Sequence, residues 1–199
     1  MQMRATATQK KIREKIESQD HLEVSLDFEH VRAAVRRKYS KPFLLLDRNI
    51  IREKAQRFKV AMPRIHPHYA VKANPDQRVL KTLIHEGVGF EIASISELDL
   101  LISLGVAAQE IYYSNPVKSS DYIRYASSKG VEWFALDSIE ELRKIVNIKQ
   151  DAKMYLRIDT PNIGSDWPLA GKFGTHSSDI NEIINEAAKL NVALIGVTF

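Results

Sequence analysis

Cysteine is absent from all 199 residues, so disulfides and thiolate chemistry are excluded from this chain. Glycine is scarce, with 8 residues, and neither GxGxxG nor GxxxxGK[ST] occurs; no glycine-rich phosphate loop is visible. Long apolar runs are also missing. Val192–Phe199 is one of the longest and falls far short of a membrane span, and Met1–Lys11 lacks the apolar core of a secretory signal. The expectation is a soluble, cytoplasmic protein with no membrane partner. Charge of one sign does not accumulate either: 29 Lys+Arg against 25 Asp+Glu leaves +4, interspersed along the chain. That balance favours solubility and, with no basic stretch interleaved by aromatics, gives no reason to expect nucleic acid. The 6 histidines form no HExxH, and His66-Pro-His68 reads as a surface pair, so no metal is expected.

A hydrophobic content of 44% is enough for one sizeable core. From about Lys41 onward, short β-rich runs alternate with helical stretches, the rhythm that places helices between parallel strands. The strand candidates are Pro42–Asp47, His68–Lys72, Gly89–Ser94, Ile111–Asn115, Trp133–Asp137, Lys153–Asp159 and Ala193–Phe199. Most are continuously apolar, as expected for strands covered on both faces. Between them, Ser94-Ile-Ser-Glu97 and Ser138-Ile-Glu-Glu141 fit the helix-starting capping box. Apolar stripes at helical spacing stop at Gly87, Gly105 and Gly130. A period of roughly 20 to 25 residues suits both the doubly wound sheet and the (β/α)8 barrel. A barrel needs eight strands, and about six here could belong to one.

Residues 1–40 differ. Gln9–Glu17 and Asp27–Tyr39 are helix-prone with narrow apolar faces, which suits a surface or docking extension.

Lys72 is the unusual position. It ends the apolar run Tyr69-Ala-Val-Lys-Ala-Asn74, just before the helix-starting Asn74-Pro75-Asp76. Barrel active sites assemble at that carboxyl edge of parallel strands. Flanking apolar residues disfavour the ammonium form, and an amine must be neutral to attack an aldehyde. Position alone does not decide the matter, because a strand-end lysine is ordinarily a solvated surface residue.

Tyr69-Ala-Val-Lys-Ala-Asn74 resembles the motif in which ornithine and lysine decarboxylases bind pyridoxal phosphate, with Lys72 matching the Schiff-base lysine. Further segments follow in that family's order: Gly89-Phe-Glu-Ile-Ala-Ser94, Tyr113-Ser-Asn-Pro-Val-Lys118, Phe134-Ala-Leu-Asp-Ser138, Leu156-Arg-Ile158, Asp166-Trp-Pro-Leu169, Lys172-Phe-Gly174 and Gly196-Val-Thr-Phe199. The ordered set is far more specific than any one motif.

The resemblance implies pyridoxal-phosphate-dependent decarboxylation of ornithine or lysine to a diamine in polyamine biosynthesis. Diaminopimelate, arginine and carboxynorspermidine are the enzymatic alternatives. It implies pyridoxal 5'-phosphate held covalently by Lys72 and contacted by Glu91 and Arg157, with Glu91 standing where the family usually has aspartate. Arg157, read as buried, needs a carboxylate partner, and Glu91 is the candidate. Lys172 resembles a position that helps pair subunits, so a homodimer is expected of the complete protein.

The implied architecture is a pyridoxal-phosphate-binding (β/α)8 barrel, present here only in part. Residues 1–40 are expected to form a helical extension and residues 41–199 the N-terminal part of the barrel, with the C-terminal β-domain expected to be absent. The family's phosphate-binding segments and pyridine-nitrogen partner are expected beyond Phe199, so this chain is expected to be a truncated form that is not competent alone. Two other readings stay open: a non-catalytic homologue acting by partner binding, and a small pyridoxal-phosphate barrel protein of the carrier or racemase type. The decarboxylase-like segments at 166–169 and 172–174 speak against the second.

Overall fold

Residues 28–36, 42, 44–160 and 171–199 are described by a computed structural model; the helix expected over Gln9–Glu17 and the segment Asp166–Leu169 lie outside them. Two helices, α1 (Phe28–Arg36) and α2 (Arg48–Ala61), precede the sheet. The regular series then runs β1 (His68–Ala70), α3 (Gln77–His85), β2 (Gly89–Ile92), α4 (Ile95–Ser103), β3 (Ile111–Tyr113), α5 (Ser120–Ser128), β4 (Trp133–Leu136), α6 (Ile139–Ile148), β5 (Lys153–Arg157), α7 (Ile180–Lys189) and β6 (Leu194–Thr198).

All six strands are parallel and pair in chain order, β1-β2-β3-β4-β5-β6. That order decides between the two architectures. A doubly wound sheet reverses its strand order at a switch point, whereas barrel strands follow one another around the axis.

Alternation along the strands separates two faces. One carries Phe90, Ile92, Ile111, Tyr113, Phe134, Leu136, Met154 and Leu156, all buried in one core with Leu80, Leu98, Leu101, Ile123, Leu142, Ile145 and Ile183 of the helices. The other carries a ring chain: Tyr112 lies 4.6 Å from His68, stacks on Trp133 at 4.6 Å and reaches Tyr155 at 5.9 Å. The strands are therefore not uniformly apolar as expected, since the second face mixes aromatic with polar residues.

Helix starts follow local chemistry. The Ser94 and Ser138 hydroxyls accept from the Glu97 and Glu141 amides, each at 3.3 Å. Glu97 returns a carboxylate oxygen to the Ala93 amide at 2.7 Å, while the Glu141 carboxylate turns elsewhere. At the other ends, Gly87, Gly105 and Gly130 take φ of 62°, 86° and 97°, the left-handed backbone that stops a helix at little cost in glycine.

Among the described residues of the expected strand Pro42–Asp47, none is in a strand. Leu44 is 91% exposed, and no strand lies beside this segment among the described residues, so its β-propensity has nothing to pair with. Asp47 instead caps α2, accepting from the Asn49 amide at 2.7 Å. Asp47→Ala should lower stability by about 1 kcal/mol in a urea melt. An unchanged melt would show that this cap contributes nothing. The other strands begin where expected or one residue later but stop one or two residues early, because the chain leaves the ladder to start the next turn.

Candidate active site

The carboxyl ends of the strands share one cleft, lined by Ala70, Lys72, Glu91, Ser114, Asn115, Pro116, Arg157 and Phe173 among others. It encloses about 190 Å³.

Local chemistry places Lys72. The ladder ends at Ala70, and Val71–Ala73 makes one 3₁₀ turn. Val71 is fully buried and anchors this turn in the core. The Tyr69 hydroxyl donates to the Asn74 carbonyl at 3.4 Å, and the Asn74 side chain accepts from the Asp76 amide at 3.0 Å. Asp76 then caps α3 through the Arg78 amide at 2.8 Å, and hydrogen bonding from Arg78 holds its carboxyl at about 2. Tyr69 and Asn74 thus fix the turn that presents Lys72. Lys72 itself is exposed, as suits a lysine at the solvent edge of a strand: Val71 is buried in the core and Lys72 lines the cleft.

Glu91 is half-buried at the centre of β2, in register with Ala70 on one side and Tyr112 on the other. Behind it, the Ser114 and Tyr155 hydroxyls lie 2.9 Å apart. Burial pushes the Tyr155 hydroxyl well above its ordinary pKa, so it remains protonated at neutral pH.

Arg157 ends β5 half-buried. It lines the same cleft as Glu91, yet among the described residues the two form no ion pair. Its guanidinium lies 5.2 Å from the centroid of the Phe173 ring, and the exposed Lys172 ammonium is also 5.2 Å from that ring. Among the described residues, the group that meets this guanidinium is an aromatic face and not the Glu91 carboxylate.

Phe173 is held there by the loop around it. The Gly174 amide donates to Asp137 Oδ2 at 3.0 Å, and the Thr175 hydroxyl donates to the Asp137 carbonyl at 2.8 Å. The Gly174 backbone has φ 102°, and a Cβ there would fall 2.7 Å from the Asp159 nitrogen, so only glycine fits. The sequence singled out Lys172-Phe-Gly174 but not the ring contact of Phe173 with Arg157. Nor did it mark Ser114, Asn115 and Pro116 as cleft residues, although they fall in the family-like segment Tyr113–Lys118.

Lys72, Glu91 and Arg157 therefore meet in one place. Lys118, in the loop between β3 and α5, is buried and does not line the cleft. Among the described residues no group of three or more His, Cys, Asp or Glu is placed to hold a metal ion, and no helix is long and apolar enough to cross a membrane.

Residues 48–199 match the family model described as pyridoxal-dependent decarboxylase, pyridoxal binding domain. The chain is 38% identical to ornithine decarboxylase of Schizosaccharomyces pombe over 170 residues, covering 84% of this chain and 39% of that protein. It is also 38% identical to antizyme inhibitor 2 of Xenopus laevis over 157 residues, covering 79% of this chain and 34% of the relative. Among solved structures, the lysine/ornithine decarboxylase of Vibrio vulnificus complexed with putrescine is similar with a TM-score of 0.76 at 30% identity, over 87% of this chain and 45% of that one. The chain thus spans well under half the length of the relatives it matches.

Proposed function

The chain belongs to the pyridoxal-dependent decarboxylase family, and from that premise we propose that the complete protein decarboxylates ornithine or lysine to a diamine for polyamine biosynthesis. The observation that carries this reading is the convergence of Lys72, Glu91 and Arg157 on one cleft at the carboxyl ends of the strands.

The residues present suit pyridoxal 5'-phosphate, the cofactor of this family. An accessible primary amine, a carboxylate and a guanidinium line one cleft, and the small side chains of Ala70 and Ala93 leave space between them. Lys72 would hold the cofactor covalently, and Glu91 and Arg157 would contact it. When bound, the cofactor supplies the electron sink that accepts the electrons left as carbon dioxide departs. The chain's own part is orientation and charge. Lys72 Nζ accepts and returns protons, while Glu91 provides negative and Arg157 positive charge in the same cleft. The Phe173 ring, its centroid 5.2 Å from the guanidinium, offers Arg157 a cation–π contact.

A homodimer with Lys172 near the pairing surface, a cytoplasmic location, and a division into a helical extension over 1–40 and barrel over 41–199 belong to the same proposal. They rest on the sequence motifs.

Amine formation by the complete protein from ornithine, lysine, arginine, diaminopimelate and carboxynorspermidine tests the substrate. Ornithine or lysine should be the best substrate; preference for diaminopimelate would reject this assignment. The likeness to an antizyme inhibitor supports a second reading, a non-catalytic homologue that acts by binding a partner. A complete protein that folds, takes up no pyridoxal phosphate and releases no carbon dioxide would favour it.

A further inference from the structure

Beneath the cleft lies a charge cluster that the proposed chemistry does not use. The Lys118 and Glu141 side chains are 0% and 3% exposed, with Lys118 Nζ 2.9 Å from Glu141 Oε1. The same ammonium donates to the Asn115 carbonyl at 2.8 Å and the Ala135 carbonyl at 2.6 Å. An ammonium has three N–H donors, and each has an acceptor here. Glu141 Oε1 also accepts from the Lys118 amide at 3.1 Å, while Lys144 pairs with Oε2 and donates to the Lys118 carbonyl at 2.6 Å.

Stability does not explain this arrangement, because an apolar pair of similar volume usually serves a buried position as well or better. Place does. Asn115 and Pro116 line the cleft, and the Lys118 ammonium ties the Asn115 carbonyl to the end of β4 and the first turn of α6. Glu141 occupies the capping-box position, but its carboxylate goes to Lys118, whereas Glu97 in the equivalent place returns to the chain beside its own cap.

We propose that Lys118, held by Glu141, is a positioning residue that fixes the Ser114–Pro116 wall of the cleft for the bound cofactor. The inference rests on the reading that this cleft takes pyridoxal phosphate. A Lys118→Met/Glu141→Gln double variant of the complete protein removes both charges and leaves neither unpaired. Two measurements read it: amide exchange over residues 114–119 without cofactor, and the dissociation constant for pyridoxal phosphate. Exchange should quicken at least tenfold and the dissociation constant should rise at least tenfold. Lys153→Met/Glu132→Gln, which removes a partly exposed pair at the other ends of β4 and β5, should change neither.

Unchanged exchange overturns the inference whatever the cofactor does. Faster exchange with unchanged affinity overturns it too, because the tether would then position nothing the cofactor needs. Failure of the unaltered protein to bind pyridoxal phosphate would instead reject the proposed function, and the exchange result would still decide whether the tether exists. Should the double variant not fold, Lys118→Arg keeps the charge while losing the three-point fit, and the same two measurements apply.

Discussion

Lys72→Ala should lower turnover of the complete protein by about a thousandfold or more while leaving it folded, since it removes both the covalent attachment and an acid–base group. The stability change should stay within about 0.5 kcal/mol, because Lys72 is exposed and its amine makes no hydrogen bond or ion pair among the described residues. The turn that presents it depends on Val71, Tyr69 and Asn74, none of which the substitution touches. Steady-state rates and a thermal melt check the two halves together. Near-normal turnover would remove Lys72 from the mechanism, and a large loss of stability would mean that the turn needs the lysine.

Lys118→Met alone should have the largest effect on folding, a loss of about 3 kcal/mol in a urea melt. Methionine fills much of the space but leaves the buried Glu141 without its main counter-charge and removes the ammonium donor from the Asn115 and Ala135 carbonyls. Lys144, whose side chain is 29% exposed, still meets Glu141 and keeps the loss from the upper end of the range for a broken buried pair. Burial already pushes the Lys118 pKa below its ordinary value, with Glu141 opposing, so the fold works against desolvation to keep this charge. Removing both charges should be milder than removing one. A single variant that melts within 1 kcal/mol of the unaltered protein would mean that Glu141 is satisfied without Lys118.

Much of the helical series was legible from sequence because several starts and stops carry their own local chemistry, whereas α7 has no side-chain cap at Asp179. Ser94 and Ser138 cap, Gly87, Gly105 and Gly130 end, and the apolar stripes between them became the core. Pro42–Asp47 misled because its leucines have strand-like composition, while pairing requires a neighbouring strand that local sequence cannot show. Helix α2 carried little signal: Ala55 is its one buried residue. Two βα architectures shared one rhythm, and only the strand order separated them.

In the cleft, Lys72 and Glu91 were legible through position and motif. The partner of Arg157 was not, since Glu91 lies on β2, while the ring that covers Arg157 comes from the loop after β5. The burial of Lys118 was not legible either, because the Glu141 that meets it lies 23 residues away on α6.

The identity of the cofactor-holding lysine is central, and one chemical experiment addresses it directly. The complete protein, loaded with pyridoxal phosphate, is reduced with borohydride, digested and mapped by mass spectrometry. The pyridoxyl group should appear on the peptide containing Lys72 and be lost in Lys72→Ala. A label on Lys118, Lys153, Lys172 or any other lysine would contradict the account.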